Sequence, residues 1–272
     1  MNKINKALYE IEKVSSLSRR DTWLNNLFPP FKLITTVLYI CLTVSFDKYE
    51  FLPLVSMALY PLVIFLLGEL SFKDALYRLR VVLPVVCVIG IFNPFFDKAV
   101  ITKIGSFYIT GGMLSFITFM IKGVLSVFAT YFLICSTTIE KLCYSLQRLF
   151  IPKIIVTEIL LIYRYSFLFL DEVKKIALSY SLRAPGQKGV NFKVWGPLVG
   201  NVLLRAMERS QDVYDSMSLR GFKNDFSYEE VKTASFSDFT FFIIANAIFI
   251  TLRAFPVFTI VGDFLLKTGG VK

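Results

Sequence analysis

The chain has 272 residues, of which 55% are hydrophobic and only 18% charged; the net charge is +10 and there is no histidine. Soluble domains carry about a quarter charged residues, so this balance, with a mean hydropathy of +0.62, points to a membrane protein. The missing histidine removes the commonest general base and the commonest transition-metal ligand, and the positive excess follows the loop-charge rule of membrane proteins without calling for nucleic acid.

Residues 1–30 are polar and basic, and Pro29-Pro30 interrupt any helix ahead of the first apolar run. The opening residues MNKINKALYEIEKVSS contain no early apolar stretch, so no cleaved signal peptide is expected. Residues 31–46 read as a first span. Residues 51–68 read as a second, with Pro53 and Pro61 tolerated because a lipid-buried bundle can re-satisfy freed backbone groups. Residues 69–80 are amphipathic and 81–96 form a third span. Residues 97–112 alternate and end in Gly-Gly, which reads as a short β-hairpin or an irregular loop. Residues 113–137 form a fourth span and 236–262 a fifth. The four cysteines (Cys41, Cys87, Cys135 and Cys143) are scattered without a CxxC pair, so neither a zinc site nor a disulfide framework is indicated.

Charge orients these spans. Lys and Arg gather in the N-terminal stretch, in residues 73–80 and above all in 138–235, while the turn at 47–50 and the loop at 97–112 carry few. The N-terminus and the segment 138–235 are therefore expected inside, and the C-terminus outside. Within that segment, residues 154–170 are apolar enough to span. Glu158 and Arg164 would then sit in hydrocarbon, at about 2.5–3.5 kcal/mol for a central Arg. We read instead a long helix lying at the inner surface. A second helical pattern runs through Val199, Val202, Ala206, Ser210, Val213 and Met217. Arg205, Glu208, Arg209 and Asp212 form an alternating-sign set on another face, read as a solvated salt-bridge face or as a charged end offered to a partner.

No Walker A loop, GxSxG or HExxH motif occurs, so an ATP-driven role requires ATPase subunits on other chains. Lys122 and Arg253 lie within spans, where a charge hints at function, although snorkelling or a polar interhelical contact explains them equally well. The two long helical patterns end alike, in Ser181-Leu182-Arg183-Ala184 and in Ser218-Leu219-Arg220-Gly221. A cation at a helix C-terminus complements the helix dipole by about 0.3–1 kcal/mol, and this would suffice for one such arginine. Two near-copies make chance less attractive, and a forked, permanently charged guanidinium suits an acidic groove on a partner.

The stretch RAMERSQDVYDSMSLRGF (205–222) resembles the signature of the transmembrane (T) component of energy-coupling factor ABC transporters, most closely the CbiQ group of cobalt and nickel uptake systems. IYRYSFLFLDEVKKIALSYSLRA (162–184) resembles the first half of that signature, and TTIEKLCYSLQRLFIPK (137–153) matches the family's style. The family usually has Ala-Arg-Ser or Ala-Arg-Gly where this chain has Leu-Arg-Ala and Leu-Arg-Gly. The resemblance implies an all-α membrane protein of about five transmembrane helices. Its parts would be a cytoplasmic N-terminal segment (1–30), helices 1–4 (31–137), a cytoplasmic coupling-helix domain (138–235), a final span (236–262) and an external tail (263–272). It implies a non-catalytic subunit in a prokaryotic plasma membrane that bridges two ABC ATPase subunits, as a homo- or heterodimer, to a small membrane-embedded S component. Residues 181–184 and 218–221 would dock the ATPases. ATP and magnesium would be held on the partner chains, with no cofactor, metal or nucleic acid on this one. The cargo would be cobalt, nickel, biotin or another vitamin.

A membrane scaffold or membrane enzyme is the alternative, but no polar catalytic constellation is visible in the spans. A self-sufficient secondary transporter would need paired broken helices in two related halves, which five unequal spans do not supply. The inside assignment predicts that, in a background without native cysteines, the Gln187→Cys variant resists an impermeant thiol reagent in intact cells. The Ser106→Cys variant should react, and the reverse pattern would invert the topology.

Overall fold

The computed structural model describes residues 15–20, 22–68, 72–92, 94, 100–104, 107–184, 191–222 and 233–254. The elements in chain order are α1 (Trp23–Asn26), α2 (Pro29–Val44), α3 (Phe51–Ser56), α4 (Leu59–Leu67), α5 (Phe72–Gly90), β1 (Val100–Ile104), β2 (Phe107–Thr110), α6 (Gly111–Ser136), α7 (Ile139–Arg148), α8 (Lys153–Arg183), α9 (Phe192–Leu219) and α10 (Phe236–Ala254). The chain separates into two units, one of Met1–Leu17 with Thr138–Val231 and one of Ser18–Thr137 with Lys232–Lys272. The expected tail 263–272, residues 255–262 of the expected last span and positions 106 and 187 lie outside the described residues.

The second unit is an apolar helical bundle with one antiparallel hairpin. Among the described residues two of its helices, α6 and α10, are long and apolar enough to cross a membrane, and shorter apolar helical stretches cover Pro29–Val44 and Pro53–Leu67. The expected separation of an amphipathic segment (69–80) from a span (81–96) is corrected: Phe72–Gly90 is one helix. No breaker separates Arg80 from Val81, so the polar turns run straight on into the apolar ones. The expected second span is also divided, into α3 and α4 around Met57-Ala58. Pro61 has no N–H for the carbonyl of Met57; that oxygen accepts from the Tyr39 hydroxyl at 2.9 Å and from the Tyr60 N–H at 3.3 Å. The alternating segment forms the hairpin, with Val100 opposite Thr110, Ile104 opposite Phe107 and a register shift between Val100 and Thr102.

The core of this unit gathers Tyr39, Phe46, Leu54, Met57, Leu125, Ala129, Ala245 and Phe249. Tyr39, Tyr60 and Phe249 meet as a trio of rings with centroids 4.6 to 5.2 Å apart, within the range of favourable aromatic pairs. Packing of α5 on α6 depends on close backbone approach. A Cβ at Gly90 would lie 2.9 Å from Phe116 Cδ2, and one at Gly123 would lie 3.2 Å from Val86 Cγ2.

Both ends of α2 are held by cations. Lys32, in its first turn, is 1% exposed. Its ammonium donates to Ser136 O at 2.7 Å, Leu24 O at 3.1 Å and Asn25 O at 3.5 Å. These carbonyls close α6 and α1, the negative ends of their helix dipoles. At the other end, Lys122 donates to Val44 O at 3.0 Å and also to Phe46 O. Arg253 donates to Ser45 O at 3.2 Å and pairs with Glu50 at 3.3 Å, its guanidinium 4.5 Å from the Phe46 ring centroid. The polar-contact reading of Lys122 and Arg253 is the one these distances match.

Replacing Lys32 by Met keeps the side-chain volume and leaves those carbonyls without their cation. Each abandoned buried acceptor costs about 1–3 kcal/mol, so the purified variant should unfold at a clearly lower temperature in mild detergent. Lys32→Arg should recover only part of the loss. An unchanged unfolding temperature for Lys32→Met would show that the clamp contributes nothing.

Candidate functional site

The other unit is built on two long helices. In α7, Thr138 caps the N-terminus by accepting from Lys141 N at 3.4 Å, and the helix packs on the first turns of α8. Burial, with a lesser contribution from the charge of Glu140, pushes the Cys143 thiol up to about 11. It is a packed small hydrophobe and not a nucleophile at neutral pH. α8 runs 31 residues and α9 runs 28. Tyr180, near the end of α8, accepts from Asn191 N at the start of α9, at 3.4 Å. Leu161, Arg164 and Tyr165 share a recess with Met217, Arg220 and Phe222. The two helices are therefore antiparallel, and Glu172 and Arg205 form an ion pair across them.

A cleft of 1220 Å³ opens between them, walled by Ile154, Leu161, Leu168, Phe169, Val213 and Met217 among others. The four charges expected on α9 all lie on this cleft: Arg205, Glu208, Arg209 and Asp212. To the two readings of this set, the structure adds one contact to a neighbouring helix. Arg205 reaches across to Glu172 and donates to Asn201 Oδ1 at 3.4 Å. Glu208, Arg209 and Asp212 form no ion pair with one another among the described residues. The acceptor on α8 wins because it faces Arg205 across the cleft, whereas a neighbour on α9 gains only the few tenths of a kcal/mol of an exposed helical pair.

The two Ser-Leu-Arg signatures occupy helix ends. In the first, Ser181 donates to Leu178 O at 2.7 Å, Arg183 closes α8, and the Ala184 N–H returns to Tyr180 O at 3.1 Å. In the second, Leu219 is the last residue of α9. The Phe222 N–H bonds Met217 O at 3.0 Å and the Gly221 N–H bonds Ser218 O at 2.9 Å, with Gly221 at φ +71. That paired pattern is a Schellman cap, and it requires the left-handed residue that glycine supplies without strain. Phe222 and Met217 line the same recess, completing the motif's apolar contact. Arg183 and Arg220 are both exposed. Leu182 is 73% and Leu219 90% exposed beside them.

The signatures stand at opposite ends of the antiparallel pair. Over the 28 residues of α9, a rise of 1.5 Å per residue separates them by about 40 Å. Residue order alone gave the two motifs; it did not give their opposed placement, the Glu172 partner of Arg205, or the two exposed leucines. No spacing along either helix signals that partner, because the pairing depends on how two helices distant in sequence cross. Among the described residues no group of three Cys, Asp or Glu side chains is placed to hold a metal ion.

The profile of the CbiQ cobalt transport protein family matches residues 20–232. An uncharacterized protein of Methanocaldococcus jannaschii is 25% identical over 240 residues, covering 84% of this chain and 82% of its own. The matched region takes in the apolar bundle through α6 together with both signature helices. The chain belongs to the CbiQ cobalt transport protein family and is a membrane component of a transport system.

Proposed function

We propose that this chain is the coupling (T) subunit of an energy-coupling factor importer. It passes the ATP-driven motion of two ATPase subunits to a membrane-embedded substrate-binding S component. The cargo is a transition-metal ion such as cobalt or nickel, or else a vitamin. The observation that carries the reading is the pair of exposed Leu-Arg ends at opposite poles of one antiparallel helix pair. Two equivalent ends suit two equivalent sockets, as a homodimer or a pair of related ATPases presents.

In this reading residues 138–235 are the cytoplasmic coupling domain, and residues 31–137 with 236–262 are embedded in the bilayer. The N-terminus is inside and the C-terminus outside. Each guanidinium enters an acidic groove of one ATPase, where its fork binds a carboxylate bidentately. Closure of the ATPase pair on ATP draws the two ends together, and the Glu172–Arg205 ion pair where the helices meet is the fulcrum. The cleft changes shape as the helices turn about it. ATP and magnesium are bound and turned over on the partner chains, and this chain itself is not an enzyme.

Truncating either arginine should weaken co-purification of the ATPases by about 2 kcal/mol or more, the scale of an interface hot spot. Arg183→Ala with Arg220→Ala should abolish uptake while the chain stays in the membrane. Arg220→Lys should rescue only in part, because an ammonium lacks the fork. Normal uptake by the double variant would overturn the reading, leaving the arginines as dipole complements.

Gly221→Ala tests the cap. A Cβ there would meet nothing within 4 Å, so its cost is the left-handed backbone alone, about 1–2 kcal/mol. The cap should loosen without disturbing the bundle. ATPase co-purification should fall with the detergent unfolding temperature unchanged, and Ala184→Gly should have no comparable effect. Equal responses to both substitutions would show that the cap does not position Arg220.

A further inference from the structure

The turn between α7 and α8, Leu149-Phe150-Ile151-Pro152, carries a feature that docking through the signatures does not explain. Phe150 is 97% exposed and adopts φ +65, among the described residues the one non-glycine with positive φ. A bulky residue avoids that region unless its surroundings impose it. The backbone here spends strain to hold a benzyl group wholly outward. Leu149, Ile155 and Ile159 are exposed as well, so the corner and the first two turns of α8 form an apolar surface. Ile155 and Ile159 do not line the cleft between α8 and α9, so this surface is separate from it.

Cations flank the tip. Arg148 is exposed and holds Tyr144 Oη at 3.3 Å, and Lys153 is exposed at the start of α8. Along the chain, only thirteen residues separate Phe150 from Ser136, the last residue of a helix long and apolar enough to cross a membrane. An aromatic ring at the apex, aliphatic neighbours and a basic rim are the composition of an interfacial membrane anchor, and the basic rim complements anionic headgroups.

We propose that the α7–α8 corner inserts into the lipid interface of the inner leaflet. Phe150 is seated among acyl chains, and Arg148 and Lys153 lie at the level of anionic headgroups. The corner thereby anchors the start of α8 to the membrane surface independently of any protein partner.

The experiment uses the full chain with Trp23→Phe, Trp195→Phe and Phe150→Trp, so that position 150 is the sole tryptophan. It is reconstituted without partner chains in phosphatidylcholine vesicles, with and without one part in about three of phosphatidylglycerol. The probe is phosphatidylcholine brominated near the headgroup end of its acyl chains. Insertion gives blue-shifted emission, quenched about two-fold by the brominated lipid, and more strongly when phosphatidylglycerol is present. Arg148→Gln with Lys153→Gln should remove the dependence on phosphatidylglycerol while retaining part of the quenching. Red-shifted, unquenched emission in both vesicles would overturn the proposal. So would emission that shifts only when the partner chains are added, which would assign the corner to a protein surface. Because the ring is solvent-exposed, Phe150→Gly should leave the unfolding temperature intact, and it also relieves the backbone. Loss of vesicle quenching of a neighbouring Ile155→Trp probe in that background would show that the ring itself is the anchor, and unchanged quenching would show that it is not.

Discussion

A backbone carbonyl at a helix end has no water to turn to inside a bilayer, and the apolar unit is organised by how its own cations and hydroxyls meet that demand. The helix α2 is 16 residues long, about 24 Å at 1.5 Å per residue, and falls short of a bilayer core of about 30 Å. In the proposed bilayer placement its ends would lie where unpaired carbonyls cost most. Lys32 serves the carbonyls that close α1 and α6, and Lys122 and Arg253 serve the carbonyls of residues 44–46. Tyr39 serves the carbonyl that Pro61 leaves without its helical partner. One contact ties several helices at once. Lys32 links α1, α2 and α6, while Lys122 and Arg253 link α6 and α10 to the end of α2. These charges thus act as structural fasteners: Lys32 and Arg253 sit in terminal turns of their own helices, and Lys122, midway along α6, reaches the carbonyls at the end of α2.

In the proposed coupling role the unit of α7–α9 solves a different problem, that of offering two like ends to two like partners from a single chain. An antiparallel helix pair carries a local pseudo-two-fold axis through its crossing point. Any C-terminal sequence shared by the two helices is related by that axis. Glu172 lies 11 residues before Arg183, and Arg205 lies 15 before Arg220, so the ion pair sits about 16 Å from one end and about 22 Å from the other. The match is close without being equal, and the caps are unequal too. The Schellman cap fixes the backbone that carries Arg220, whereas among the described residues the end that carries Arg183 shows the return bond from Ala184 N–H to Tyr180 O. The cap preorganises the Arg220 end.

Much of this is legible in the sequence. Low charge and long apolar runs point to a helical membrane protein, the alternation before Gly111 to the hairpin, and the repeated Ser-Leu-Arg to both helix ends. The boundaries that differ do so for local reasons. Nothing between Arg80 and Val81 announces that an amphipathic turn continues into an apolar one, because a helix can change face polarity without a breaker. The joint at Met57-Ala58 is hidden because proline in an apolar run is compatible with a kink, a break or neither. At the joint the Met57 carbonyl accepts from the Tyr39 hydroxyl, a contact that spans 18 residues. Lys32 reads simply as part of the first span, although a lysine so soon after a Pro-Pro start is a visible signal for a helix-end clamp. The pairing of Arg205 with Glu172 depends on a crossing geometry that spacing along one helix does not encode.

The two arms also differ in stiffness, and this bears on how a motion at their ends would travel. α8 contains neither glycine nor proline from Lys153 to Arg183, so its ladder of backbone bonds is interrupted nowhere by composition. α9 carries Pro197 in its second turn, which removes the rung to residue 193 and marks the place where that helix bends most easily. A displacement applied at Arg183 therefore acts on a stiff rod that turns as a whole about the Glu172–Arg205 contact. One applied at Arg220 acts on a helix that is stiff from the ion pair to its cap and compliant beyond it, toward residue 197. In the proposed coupling role α8 is the lever, and the first turns of α9 absorb the mismatch between the two ends.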